Sequence, residues 1–327
     1  MRGTVRGAAT SPAVLGRSLG GANCASTQFA SNPASPLAPT LSPDFVGGEG
    51  VVRRARPFLG TLVEMRVEGL REPEALAAID AAFAEVASVH RMMSFHEPCS
   101  DLARVHRARV GEAVALDVRT AEVLCCALDI AEFSDGAFDP TIATRAVARG
   151  SLPWPDSPFV PDAQASWRDI ELPDAQCIRL RRPLWLDLGG IAKGYAVDRA
   201  IDVLLHAGAT QACVNAGGDL RIAGERAEIV ILRIAHCDAA HTIELRDGAV
   251  ASSAASSLIA LDRRVKSKEY DDCLGVSVAA PNCMLADALT KVALLADTKI
   301  ATATLQHYGA QALIHAREGW RELRYAA

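Results

Sequence analysis

The sequence lacks the cysteine spacings that mark common metal and redox sites. None of its nine cysteines forms a Cys-x-x-Cys pair, which argues against a zinc ribbon and a thioredoxin-type motif. The count is odd and follows no regular spacing, so we do not expect a disulfide framework. Such cysteine usage is typical of a reducing compartment, and a cytoplasmic location is therefore favoured over export.

Long apolar runs and an excess of positive charge are also absent. No stretch has a membrane-spanning length without charges, and the N-terminus lacks the apolar run of a signal peptide. The formal net charge of -5 gives no electrostatic reason to expect nucleic acid as a partner. The sequence contains no Gly-x-Ser-x-Gly elbow, no His-Glu-x-x-His and no Walker phosphate loop.

Hydrophobic residues make up 50% of the 327 residues, which is enough apolar material for a large core. They are unevenly distributed. Residues 1–48 are rich in Gly, Ala, Ser, Thr and Pro and carry few charges, so we predict a disordered, low-complexity extension there. The globular domain is predicted over 49–327.

Hydrophobic periodicity predicts an irregular succession of strands and helices in that domain. Strands are predicted at 56–67, with a glycine interruption, and at 185–188, 212–215, 227–234 and 275–280. Helices are predicted at 73–93 and 120–133, after the turn at 189–190, and at 284–296. Because strands and helices do not alternate in a regular βαβ period, the pattern favours a mixed α/β or α+β domain.

A glycine-rich turn is the first feature that suggests chemistry. In Asp187-Leu-Gly-Gly-Ile-Ala-Lys193 a short apolar strand meets two glycines and then a helix. Glycines allow the backbone to approach a ligand closely, and a helix N-terminus attracts anions. Lys193 adds a full positive charge suited to a phosphate. The alternative is an ordinary tight turn that carries a surface lysine.

The last predicted helix carries a second candidate. In Ala286-Asp-Ala-Leu-Thr-Lys291, the side chains of Asp287, Thr290 and Lys291 share one helix face because their spacing is i, i+3 and i+4. A carboxylate beside a hydroxyl suits Mg²⁺, which prefers oxygen ligands. The alternative is an ordinary Asp–Lys pair on a solvated helix.

Five further segments accompany these two. They are Leu59-Gly-Thr61, Met93-Ser-Phe-His-Glu-Pro-Cys-Ser-Asp-Leu102, Gly136-Ala-Phe-Asp-Pro-Thr141, Val214-Asn-Ala-Gly-Gly-Asp-Leu220 and Ala251-Ser-Ser253. With the stretch from Asp187 to Asp198 and the helix segment Ala286-Asp-Ala-Leu289, they resemble seven motifs of the ApbE family of FAD:protein FMN transferases. The seven occur in the family's order, over roughly residues 56–296.

The resemblance implies a fold, a reaction and a set of site residues. The fold is a single α/β (α+β) domain with mixed sheets and flanking helices. FMN passes from FAD to a threonine or serine hydroxyl of a partner flavoprotein, with Mg²⁺ on the pyrophosphate and AMP as the leaving group. The implied flavin-binding residues are Leu59, Phe95, Asp187, Gly189, Lys193, Gly217, Gly218 and Asp219. The implied metal ligands are the Gly190 carbonyl, Asp287 and Thr290, and the implied catalytic residues are Asp287 and Lys193.

The sequence departs from the family pattern in three places. Lys291 stands where the family commonly has threonine, and an ammonium group there can pair with Asp287 where the metal would be. The interval 257–268 lacks the family's His-Ile-x-Asp-Pro-x-Thr-Gly, whose histidine is a candidate base. Residues 146–150 replace an expected Trp-Gly segment. Two alternatives therefore stay open: a flavin carrier without transferase activity, and a pyrophosphatase that splits FAD into FMN and AMP.

Overall fold

A large antiparallel sheet is the centre of the fold. The computed structural model describes residues 40–41, 50–233, 240–256 and 273–323. Its strands are β1 (Thr40–Leu41), β2 (Val52–Phe58), β3 (Thr61–Glu68), β4 (Ala113–Ala115), β5 (Ile170–Asp174), β6 (Cys177–Leu180), β7 (Gln211–Ala216), β8 (Asp219–Gly224), β9 (Glu228–Leu232), β10 (His241–Leu245), β11 (Gly248–Ala254), β12 (Cys273–Ala280), β13 (Gln311–Ala316) and β14 (Gly319–Glu322). Its helices are α1 (Glu72–Met93), α2 (Asp101–Arg107), α3 (Val118–Phe133), α4 (Ala143–Ala148), α5 (Ala192–His206), α6 (Cys283–Leu295) and α7 (Thr298–His307).

The strands form three sheets. The large sheet has eight strands in the order β14-β13-β12-β11-β8-β7-β3-β2, and two three-stranded sheets have the orders β1-β9-β10 and β4-β6-β5. Every strand pair described is antiparallel. The expected α+β domain with flanking helices is therefore confirmed.

Helices cover one face of the large sheet. α5 packs on β7 and β8, α6 packs on β11 and β12, and α1 packs against α5. The apolar face predicted for α1 is confirmed, because Ile79, Phe83 and Val86 are fully buried. The other face of the sheet forms a second apolar cluster with β9, which includes Cys213 and Val230.

One predicted strand is in fact a hairpin. The interval 56–67 was expected to be a single strand with a glycine interruption, whereas β2 and β3 pair so that Phe58 lies opposite Thr61. The two-residue turn between them has positive φ at Leu59 (54°) and Gly60 (72°). Positive φ at both positions matches the right-handed twist of the two strands, so the glycine marks a reversal of the chain.

Two sequence predictions concern residues that lie mostly or wholly outside the described part. Of the predicted extension at 1–48, the structure describes only β1, which pairs with β9, so the domain boundary near residue 49 stays a prediction. The histidine-free interval 257–268 lies outside the described residues altogether. Within the described ranges, none of the helices has both the length and the apolar character that crossing a bilayer requires.

Candidate active site

Three segments that are distant in sequence meet at the N-terminal turn of α5. Lys193 forms an ion pair with Asp219, the first residue of β8. The Gly194 N–H donates to Oδ2 of Asp287 on α6 at 3.2 Å, and Oδ1 of Asp287 pairs with Lys291 one turn further along that helix. Asp219 and Asp287 are only 1% and 2% exposed. The result is a buried cluster of two carboxylates and two ammonium groups.

The charges in this cluster depend on one another. Burial, aided by the charge of Asp287, raises the pKa of Asp219 to about 6, although Lys193 opposes the rise. Burial also acts to raise the pKa of Asp287, but Lys291 and Lys193 outweigh it and the pKa is lowered. Burial acts to lower the pKa of Lys193, and its two aspartate neighbours reverse that effect and raise it. Asp287 and Lys193 are therefore both charged at neutral pH.

Asp198 fixes the start of α6 and so the position of Asp287. Its Oδ1 and Oδ2 accept from the N–H groups of Cys283 and Met284, each at 2.8 Å, and Oδ1 also accepts from Arg221 at 2.8 Å. These are N–H groups of the first helical turn, which have no partner within the helix. Asp198 is the last residue of the stretch from Asp187 to Asp198 that resembles a family motif, but its role was not predicted from the sequence. The one signal in the sequence for this role is that a carboxylate lies beside the apolar face of α5.

Replacing Asp198 with alanine should cost about 2 kcal/mol of stability and weaken the flavin binding that the resemblance implies, since two first-turn N–H groups of α6 lose their acceptor and only the cap by Asn282 remains. Asp297→Ala is the matched control, because Asp297 caps the neighbouring helix α7 through the Ile300 N–H at 3.0 Å. Thermal denaturation and titration with FAD would measure both properties. We expect the control to lose stability only. Equal flavin affinity in the two variants would contradict a role for Asp198 in the site.

The Asp187 segment is held by other parts of the chain. The described residues 185–188 were expected to form a strand and do not form one. The Leu186 N–H donates to Nε2 of His106 at 2.9 Å, and the Asp187 N–H donates to the Pro140 carbonyl at 2.9 Å. Burial lowers the pKa of His106 to about 4, so its ring is neutral and accepts this hydrogen bond.

Asp187 and the two glycines that follow form one wall of the cluster. Oδ1 of Asp187 accepts from the Gly189 N–H at 3.0 Å. Burial raises the pKa of Asp187, against the hydrogen bond from Gly189 and the positive charge of Lys291. Gly190 lies against Lys291, since a Cβ placed on it would be 3.3 Å from Lys291 Cε.

The remaining implied flavin-binding residues border the cluster. Gly217 and Gly218 form the turn that precedes Asp219, with φ of 58° and 117°. A Cβ on Gly217 would lie 2.0 Å from Oγ1 of Thr61, so this turn packs closely against the end of the hairpin that carries Leu59. The ring of Phe95 lies 5.3 Å from that of His106, beside the Asp187 segment. That Leu59 and Phe95 contact the flavin stays a prediction.

Two of the three implied magnesium ligands, Asp287 and Thr290, already contact each other. The Thr290 hydroxyl donates to the Asp287 carbonyl at 2.7 Å and lies 2.8 Å from the Ser253 hydroxyl. Both carboxylate oxygens of Asp287 have partners, one of which is the ammonium group of Lys291. Magnesium requires oxygen ligands in a near-octahedral arrangement. The ammonium group of Lys291 already pairs with Asp287, so the implied ligands do not fit the ion. Elsewhere in the described ranges, no group of three or more His, Cys, Asp or Glu is placed to hold a metal.

The sequence is similar to those of known proteins. A sequence model described as the ApbE family matches residues 59–314. Among curated relatives, a FAD:protein FMN transferase of Treponema pallidum (strain Nichols) is 28% identical over 191 residues, 53% of this chain and 53% of that protein. A protein of the same name from Chlamydia pneumoniae is 24% identical over 276 residues, 78% of this chain and 85% of that protein. The chain thus spans about half the length of the first of these relatives.

Solved structures agree on the fold. The ApbE protein of Thermotoga maritima superposes with a TM-score of 0.69 at 23% identity, over 83% of this chain and 96% of that one. The flavinyl transferase ApbE of Pseudomonas stutzeri, in its apo form, gives a TM-score of 0.66 at 20% identity, over 83% of this chain and 93% of that one.

Proposed function

Because the chain belongs to the ApbE family, we propose that it is a flavin transferase that moves FMN from FAD to a threonine or serine hydroxyl of a partner flavoprotein. Curated relatives named FAD:protein FMN transferase support this activity. The observation that carries the proposal is the convergence of Lys193, Asp219 and Asp287 on one buried site.

The N-terminus of α5 is the part of the site that suits the FAD pyrophosphate. Its N-cap residue makes no side-chain cap, and Asp287 binds one first-turn N–H, that of Gly194. The positive dipole end beside that contact attracts an anion. Lys193 lies in its first turn and is held charged by Asp219. Lys291 brings a second ammonium group to the same site through Asp287. These fixed charges stabilise negative charge that develops on the phosphate oxygens.

The proposed reaction is a substitution at the FMN phosphorus. The acceptor hydroxyl oxygen forms the new P–O bond, and the bond to the AMP phosphate breaks with its electron pair leaving on AMP. The hydroxyl proton passes to the departing phosphate or to water. The work of the chain is to align these groups and to stabilise the phosphate charge. The resemblance also implies Mg²⁺ on the pyrophosphate. Because the ligands implied for Mg²⁺ do not fit the ion, the proposed reaction includes no step that uses it.

A flavin carrier is the second candidate function. One sequence feature favours it: the interval 257–268 lacks the histidine that is the candidate base in the family. A carrier would use the same charged cluster to hold FAD without breaking it. The two candidates therefore differ in the products they form and not in the ligand they bind.

Intact-mass spectrometry of an acceptor distinguishes these functions. The full chain is incubated with FAD, Mg²⁺ and a small domain that carries an acceptor threonine. We expect the domain to gain the mass of one FMN residue, and the gain to disappear with Asp287→Ala and with an acceptor Thr→Val change. Asp297→Ala should retain activity. Retained intact FAD without a mass gain would favour the carrier, and free FMN with AMP would favour the pyrophosphatase; either result overturns the proposal.

A further inference from the structure

Lys291 lies between two of the implied metal ligands. We infer that its ammonium group takes the place of a divalent cation at Asp287, so that this flavin site works without metal. The inference rests on the proposed function for its ligand, FAD. It goes further by assigning to a single side chain the task that a bound ion would perform.

The contacts of Lys291 carry the inference. Its Nζ pairs with Oδ1 of Asp287 and donates to the backbone carbonyl of the same residue at 2.9 Å. Its Cε and Cδ lie 3.3 and 3.9 Å from the position of a Cβ on Gly190. The side chain is 16% exposed, so packing restricts its movement away from the carboxylate. The ammonium thus binds two oxygens of Asp287 while its stem covers Gly190.

Charge pairing argues in the same direction. Asp219 is paired with Lys193, and Asp287 is paired with Lys291. A divalent cation at Asp287 would have to displace Lys291 or lie beside it, and two cations at close range in a buried site repel strongly. With threonine at position 291, Asp287 would instead lack its neutralising partner and gain a further hydroxyl neighbour.

The ammonium group retains the capacity to bind a phosphate. Lysine has three N–H donors, and the contacts described for Nζ use two of them, both on Asp287. The third can donate to a pyrophosphate oxygen. Lys291 then adds a second positive charge beside that of Lys193.

Direct binding measurements on the full chain test the inference. After metal is removed with EDTA, Mn²⁺ alone is titrated and followed by electron paramagnetic resonance, and FAD affinity is measured by flavin fluorescence in EDTA and in Mg²⁺. We expect the wild-type chain to bind no Mn²⁺ at Asp287, and its FAD dissociation constant to differ by less than about twofold between the two conditions.

Two substitutions at one position sharpen the test. Lys291→Thr should gain Mn²⁺ binding, and its FAD affinity should become about tenfold tighter in Mg²⁺ than in EDTA. Lys291→Met removes the charge without adding an oxygen, so it should lose FAD affinity equally in both conditions. A second change, Asp287→Asn in the Lys291→Thr chain, should abolish the new Mn²⁺ binding and so locate it.

The possible results separate the inference from the proposed function. If the FAD affinity of the wild-type chain is about tenfold or more weaker in EDTA than in Mg²⁺, the inference is overturned and the transferase proposal stays intact. Mn²⁺ binding by the wild-type chain that Asp287→Asn abolishes would do the same. Absence of FAD binding under every condition would overturn both.

Discussion

Replacing Lys193 with methionine should lower the free energy of unfolding at pH 8 by about 3 kcal/mol, with a much smaller loss at pH 5. Lys193 is the ion-pair partner of Asp219, which is 1% exposed. Without the lysine, the Asp219 carboxylate must be buried as an unpaired charge or take up a proton. Either outcome costs stability at a pH where an exposed aspartate is ionised.

The direction of the pH effect follows from proton binding. With Lys193 present, burial already raises the pKa of Asp219 to about 6, and removal of the lysine raises it further. An aspartate in the unfolded chain has a pKa of about 3.9. Up to about pH 6 the folded wild type and the folded variant both hold the Asp219 proton. Above that pH only the variant holds it, so only the variant continues to lose stability as the pH rises. The difference from wild type therefore grows from pH 5 to pH 8.

Urea denaturation at both pH values, together with a double variant, measures this effect. Lys193→Met/Asp219→Asn removes both charges and should recover most of the stability at pH 8. It should not recover FAD binding, because the proposed contact of Lys193 with the pyrophosphate is still missing. A loss of stability that is equal at pH 5 and pH 8 would show that the buried ion pair is not its cause.

Much of the fold could be predicted from hydrophobic periodicity. The helix expected at 73–93 is Glu72–Met93, and the helix expected at 284–296 is Cys283–Leu295. In the first, apolar residues recur on one face and are buried, which is the pattern that periodicity detects. The second is buried on most of its surface, and its apolar composition marks it. The motif order also identified the family, which the match over 59–314 confirms.

Local patterns failed where distant residues supply the hydrogen bonds. Residues 185–188 resemble a strand in composition, but the N–H of Leu186 donates to a histidine 80 positions away. Asn282 caps α6 locally, but Asp198, 85 positions before Cys283, binds two further N–H groups of its first turn. Neither distant partner lies within the window that secondary-structure propensity samples, so tertiary contacts decide both places.

The Asp287–Lys291 pair shows the same limit at the site. An i, i+4 spacing placed the two side chains on one helix face, and the structure confirms their contact. The sequence left open whether that face meets solvent. It does not, because Asp287 is 2% exposed and accepts a hydrogen bond from the first turn of α5. Burial turns an ordinary surface pair into part of a charged cluster.

Gly194→Ala should lower the free energy of unfolding by about 3 kcal/mol and abolish FAD binding. A Cβ at this position would lie 2.1 Å from the carbonyl oxygen of Cys283 and 2.9 Å from the Cα of Met284. Both are backbone atoms, so no side-chain rotation relieves the overlap and α5 must move away from α6. That movement breaks the hydrogen bond from the Gly194 N–H to Asp287 and separates Lys193 from it.

Gly111→Ala is the matched control for this substitution. No atom lies within 4 Å of a Cβ at Gly111, but its φ is +84°, so the cost is backbone strain alone, about 1 kcal/mol. Thermal denaturation should show a fall of roughly 6–12 °C for Gly194→Ala and a smaller fall for the control, which should still bind FAD. If Gly194→Ala kept wild-type stability and flavin affinity, the close contact of α5 with α6 would not be what positions Lys193 and Asp287.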